Sequence, residues 1–110
     1  MTNYFIKLRG RRGEAICLEC RQVKFLDGTV PERNRCHDNV DRWVAENEGA
    51  VAVRGWLIND ATVDLHSVVR NQGQTFDITH RDSSWFLPLE GGEAEFAMLI
   101  NEGCAQFPWA

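Results

Sequence analysis

The sequence predicts an α+β domain in which an N-terminal, cysteine-bearing helix packs on a small antiparallel sheet of three to five strands. Three observations carry this. Cys36, Val40, Trp43 and Val44 recur at the i, i+4, i+7, i+8 spacing of an amphipathic helix. Two runs rich in β-branched residues follow, "AVAVRGWLI" from residue 50 and "ATVDLHSVVRN" from residue 61. "NQGQ" then makes a turn, from which "TFDIT" returns as a hairpin partner.

Taken in order, "NYFIKL" suits a short strand and "GRRG" a turn. "EAICLECRQVKFL" fits a helix or a strand, and its periodicity does not separate them. "DGTVPERN" reads as a loop that delivers the chain to the helix. Asn34 is a candidate cap for that helix. Asp38 and Asp41 favour its N-terminal half, and Gly49 ends it. "SSWFLPLE" offers a further strand, with Pro88 marking an edge or an end. "GGEAEFAMLINEG" reads as a helix with Phe96, Leu99 and Ile100 inward, and Phe107 and Trp109 of the tail pack back on the body.

The 110 residues suffice for one domain, 1–110, with a single core. An apolar fraction of 44% with 25% charged residues is a globular balance and argues against disorder. Charge is uneven: residues 1–35 carry eight Lys/Arg against four Asp/Glu, the remainder four against twelve. Arg9, Arg11 and Arg12 could touch an anion. The chain is acidic as a whole and holds no nucleic-acid motif, so a solvated loop is expected there and no nucleic-acid partner. No apolar run reaches the roughly 18 residues of a membrane span. Lys7 and Arg9 interrupt any secretory apolar stretch, so a cytoplasmic location and four free thiols, Cys17, Cys20, Cys36 and Cys104, are expected.

Cys36 opens the helix, where the positive end of the dipole favours thiolate. Cysteine catalysis also needs a base and a group to hold the base. The neighbour His37 projects about 100° away around the axis, and is expected at the surface, as is His80. His66 lies within a strand between Leu65 and Ser67. Asp77 lies in its partner between Phe76 and Ile78, an odd place for a carboxylate unless it orients something. If Asn71 faces Gln74 across Gln72–Gly73, His66 and Asp77 fall on one sheet face as diagonal neighbours roughly 7–8 Å apart. A loop one residue longer would place them on opposite faces.

The order Cys at a helix start, "GWLI" on a strand, "HSVV" on the next, a Gly turn and "DIT" on the return strand resembles the core of the transglutaminase-like branch of the papain-like cysteine enzymes. The likeness covers about residues 34 to 80. The matching positions are Cys36, His66 and Asp77, with Gly55–Trp56 and Thr79 beside them. It implies a papain-like core and acyl transfer through a thioester: a peptidase, amidase or deamidase, or an amine transferase. It implies a protein or peptide-like amide substrate, and no cofactor. Such chemistry needs an oxyanion hole. The backbone N–H of Cys36 is one donor, and Asn39 or Gln22 could be a second. Trp56 is expected in the core, with a substrate-cleft wall as its alternative role.

Two other readings stand beside this. Cys17 and Cys20 with Cys36 and His37 form a C-x-x-C then C-H set with partial zinc spacing. The adjacent second pair is poor chelate geometry, and no structural metal is expected. No βαβ pattern surrounds Cys17–Cys20 to suggest a redox motif. The third reading is a non-catalytic interaction domain of papain-like fold, which needs neither a reactive thiol nor a His–Asp bond.

Overall fold

The computed structural model describes residues 2–80 and 82–109. The described residues form an α+β unit of three α-helices and one six-stranded sheet whose strand ladders are all antiparallel. The helices are α1 (Thr2–Gly10), α2 (Cys36–Glu46) and α3 (Gly92–Asn101). The strands are β1 (Ile16–Leu18), β2 (Val51–Ile58), β3 (Thr62–Asn71), β4 (Gln74–Phe76), β5 (Ser84–Pro88) and β6 (Gln106–Pro108). The sheet runs β1-β5-β2-β3, and β4 and β6 then share the outer edge of β3. β6 covers Thr62–Asp64 and β4 covers Val69–Asn71, so on that edge, among the described residues, the stretch around His66 has no strand beside it.

The first correction is α1. "NYFIKL" is helical, not a strand, and the cysteine-bearing helix is the second in the chain. Tyr4, Phe5 and Leu8 form the helical stripe. Phe5 stacks on Phe107 with centroids 5.3 Å apart, Tyr4 leans on Trp56 at 6.4 Å, and Leu8 is buried. Packing against the far end of the chain decides the conformation of this short segment, and local propensity does not. These side chains join Val63, Leu65, Leu87, Leu99 and Trp109 in the largest core cluster.

The ambiguous segment after residue 14 supplies the three-residue β1 and then an irregular run. α2 starts at Cys36 as expected, but Asn34 does not cap it. Arg35 holds the N-cap position with no side-chain cap, and Asn34 takes φ 64° in the turn that swings the loop into the helix. Asn tolerates that left-handed conformation better than most residues. α2 ends at Glu46, before Gly49, with Asn47 Nδ2 donating to the Trp43 carbonyl at 2.9 Å. Val40 on its inner face packs with Ala50, Val69, Phe76 and Ile78. In α3, Leu99 is fully buried and Phe96 half-buried, while Ile100 is exposed at 50%, against expectation. Pro88 ends β5, which lies inside the sheet between β1 and β2.

The turn that sets the site is as the sequence predicts. Asn71 faces Gln74, and both Gln72 and Gly73 have positive φ, the backbone of a two-residue hairpin turn. Val69 therefore pairs Phe76 on the helix-covered face. By alternation, His66 and Asp77 lie together on the opposite face. There Leu18, Val68 and Phe86 form a smaller cluster. Gly55 faces His66 across β2–β3, and a Cβ at Gly55 would collide with the Phe86 ring and the Leu87 carbonyl. This glycine lets Phe86 lie over the strand and present its edge to His66, centroids 6.4 Å apart.

Candidate active site

His66 Nε2 meets Asp77 Oδ2 at 2.7 Å, with both residues buried. The carboxylate is held on its other oxygen by the backbone N–H groups of Thr79, at 2.8 Å, and His80, at 3.0 Å. Its backbone is fixed as well. β4 stops at Phe76, and Asp77 pairs instead with the N-terminal segment: its N–H donates to Glu19 O at 3.0 Å, and its carbonyl accepts from Arg21 N at 2.8 Å. Side chain and main chain together determine one orientation. With Nε2 engaged by Asp77, Nδ1 is the nitrogen of His66 left for Cys36.

Cys36 lies at the sheet edge exposed between β4 and β6, half-buried, within a cleft of about 450 Å³ lined also by Leu57, Asp64, His66, Thr79 and His80. Burial alone would raise its thiol. Hydrogen bonding to His37 and His66 and the charge of both rings outweigh that and bring it down to about 6. Burial likewise opposes protonation of His66, but bonding to Asp77 and to Cys36 raises it to about 9. Burial also works against the Asp77 carboxylate, yet its bonds to His66, His80 and Thr79 hold it below the usual range. Both shifts favour a thiolate at Cys36 and an imidazolium at His66 near neutral pH. Cys20, on the other side of Asp77, shows the opposite shift: burial and the charges of Asp77 and Asp82 raise its thiol.

The remaining candidates are placed differently. Asn39 is buried, and its side chain is fully used: Nδ2 donates to Glu32 O at 2.7 Å and Thr79 Oγ1 at 3.0 Å, while Oδ1 accepts from Glu32 N at 3.1 Å. It holds the loop before α2 against Thr79 and has no donor left for an oxyanion. Gln22 is exposed in an adjoining groove with Val30 and Pro31 and is not among the residues that line the cleft with Cys36. Trp56 is fully buried, its Nε1 donating to Tyr4 Oη at 3.3 Å, so it does not wall the cleft. At the start of α2 the first N–H groups, that of Cys36 among them, receive no side-chain cap and are the donors that remain.

The zinc set is not assembled. Among the described residues no three His, Cys, Asp or Glu groups are placed to hold a metal ion, and Cys17 is exposed on β1. All four cysteines are free. No helix of the described residues is long and apolar enough to cross a membrane.

Two histidines expected at the surface are not simply there. His80 is half-buried, lines the cleft and supports Asp77 through its backbone. His37 folds back so that Nδ1 lies 3.6 Å from Cys36 Sγ and 2.6 Å from Ser67 Oγ. The angular argument from the helix axis holds for Cβ directions, but the first turn leaves adjacent side chains room to meet. The sequence signal was present in the pair Cys36–His37, but its partner Ser67 is thirty positions away. Comparison of the chain with protein-family models, with curated proteins and with solved structures gives no match.

Proposed function

We propose that this chain is a cysteine-dependent acyl-transfer enzyme acting on protein or peptide-like amides through a thioester. The observation that carries the reading is the buried 2.7 Å His66–Asp77 bond, with Cys36 lining the same cleft as His66 and its thiol lowered to about 6 by His37 and His66. The resemblance to the transglutaminase-like branch is supported by element order: nucleophile at a helix start, base on the second following strand, carboxylate just past the hairpin return.

The chemistry follows from the charges. The Cys36 thiolate attacks the amide carbonyl carbon, a C–S bond forms, and the carbonyl electron pair moves to oxygen. The N–H groups at the start of α2 are the donors for that oxyanion. As the intermediate collapses, the C–N bond breaks and the His66 imidazolium gives its proton to the leaving amine. Water, or a second amine, then attacks the thioester. His66 takes the incoming proton and Cys36 leaves as thiolate. Asp77 keeps the imidazole in the tautomer and orientation both steps need.

The test is formation of an acyl-enzyme. Incubation with an activated ester such as p-nitrophenyl acetate, followed by intact-mass measurement, should show one acetyl adduct on Cys36 that hydroxylamine removes. Cys36→Ala should abolish it, and His66→Ala should slow it sharply. Protein that stays unmodified at Cys36 over a full pH series would turn the assignment toward the interaction-domain reading.

A further inference from the structure

The mechanism above uses one of the two imidazoles that meet Cys36. His66 belongs to the cleft face of the sheet, while Ser67, the partner of His37, belongs by alternation to the helix-covered face. The sulfur therefore lies at the sheet edge between two rings that arrive from opposite sides. His37 does not line the cleft. Its ring meets Phe96 of α3 edge-on, centroids 4.9 Å apart, and its Nδ1 is committed to Ser67 and Cys36.

Behind Ser67 stands a polar chain that the proposed chemistry leaves unexplained. Ser67 is fully buried, and its Oγ accepts from Arg54 Nη1 at 2.8 Å. Arg54 is itself buried, with Nη2 donating to Asp41 of α2 at 2.6 Å and Nε to Glu93 of α3 at 3.0 Å. The guanidinium also lies 4.4 Å from the Phe96 ring centroid. Arg54, Asp41 and Glu93 are thus the charged groups that surround the His37–Ser67 pair. A guanidinium under a helix start is costly to desolvate and must be well satisfied to remain there.

Hydrogen-bond direction gives the chain a purpose. Arg54 can only donate, so one lone pair of Ser67 Oγ is taken. A thiolate accepts and cannot donate. Ser67 Oγ can donate or accept, and the arrangement in which His37 serves the thiolate is Nδ1–H shared between Ser67 Oγ and Cys36 Sγ. During the reaction His66 must release its proton to the leaving amine. A donor that does not take part in proton transfer can hold the sulfur while His66 does.

We propose that His37 is a positioning residue for Cys36, its ring held by Ser67 and Arg54 so that the sulfur stays at the mouth of the cleft. This rests on the assignment of Cys36 as nucleophile. The experiment is the rate of iodoacetamide labelling at Cys36 against pH, mapped by mass spectrometry on the full chain, for wild type, His37→Leu, His37→Asn, Ser67→Ala and His66→Ala. His37→Leu and Ser67→Ala should each move the onset of labelling upward by about one pH unit, the size of one charge-assisted hydrogen bond. His37→Asn places an amide nitrogen where Nδ1 stood and should restore most of the shift. A purely packing role would give no such rescue, because Leu fills the site better than Asn. If His37→Leu and Ser67→Ala keep the wild-type profile while His66→Ala shifts it, the positioning role is wrong and the nucleophile assignment stands. If His66→Ala also changes nothing, the acyl-transfer reading fails with it. If His37→Leu does not fold, Ser67→Ala, which removes a single oxygen, decides alone.

Discussion

Trp56 and Asp77 are equally buried, yet they lie in regions built on opposite terms. Around Trp56, the rings of Tyr4, Phe5 and Phe107 close over Leu8, Leu65, Leu87 and Leu99, and burial itself is the favourable term. Around Asp77, burial works against the charged groups, which persist only because each has a partner: His66 on one oxygen, two backbone N–H groups on the other, and Cys36 beyond. The aromatic end stabilises the fold, and the polar seam draws on that stability to hold a reactive ion pair. Substitutions should therefore separate cleanly into those that lower stability and those that lower reactivity.

The largest separation is expected at His66. His66→Ala should slow acylation of Cys36 on the order of ten-thousand-fold, because both the thiolate and the proton donor go. Stability should fall as well, by about 2–3 kcal/mol, because Asp77 loses the partner of its buried charge, but the rate loss should be the larger effect. Stopped-flow release of p-nitrophenol beside a thermal melt measures both, and a small rate effect would break the comparison. At the other end, Trp56→Ala should cost about 4 kcal/mol by urea unfolding through the cavity it leaves. The fraction that remains folded should label at Cys36 with the wild-type pH onset.

Asp77→Asn should fall between these limits. It keeps an acceptor for Thr79 and His80 and loses the charge that raises His66, at a cost of about 2 kcal/mol near neutral pH. The cost should depend on pH with a definite sign. Asp77, with its pKa depressed, adds stability above about pH 4 that disappears as acid protonates it. His66, raised to about 9, adds stability that is complete below about pH 6.5 and fades as pH climbs through its folded value. Urea midpoints of wild type and variant should therefore differ most from about pH 4 to 6.5 and converge in acid. A constant gap across pH would mean that the ion pair is not the source. The smallest effect, about 1 kcal/mol, is expected for Gly73→Ala, which strains the φ 77° turn residue. Slower Cys36 labelling in that variant would show that turn geometry reaches the site through the register of β4.

How much of this was legible from sequence depends on how local the cause was. The His66–Asp77 alignment was readable because a two-residue turn with Gly73 sets strand parity, and parity alone decides which side chains share a face. The amphipathic stripe of α2 was readable for the same reason. The conformation of residues 2–10 was not, because Phe107 and Trp56 select it from far along the chain. The role of Asn39 depended on Glu32 and Thr79, and that of His37 on Ser67 and Arg54. A short polar motif does not say which of its neighbours in space will use up its hydrogen bonds. The likeness to transglutaminase-like enzymes rests on residue order in the sequence.

The pairing of Asp77 with Glu19 and Arg21 also has a temporal meaning. Cys36, His66 and Asp77 come from helix, strand and hairpin return, but the last is clamped by a segment made before all of them. That contact spans more than half of the chain, so it closes late, after the local hairpin and helix have formed. Until it closes, Asp77 cannot hold His66 and Cys36 keeps the sluggish chemistry of an ordinary thiol. On the proposed function the clamp is an arming step: a nascent or misassembled chain would carry all three residues without a poised nucleophile, and reactivity would come only with the finished fold.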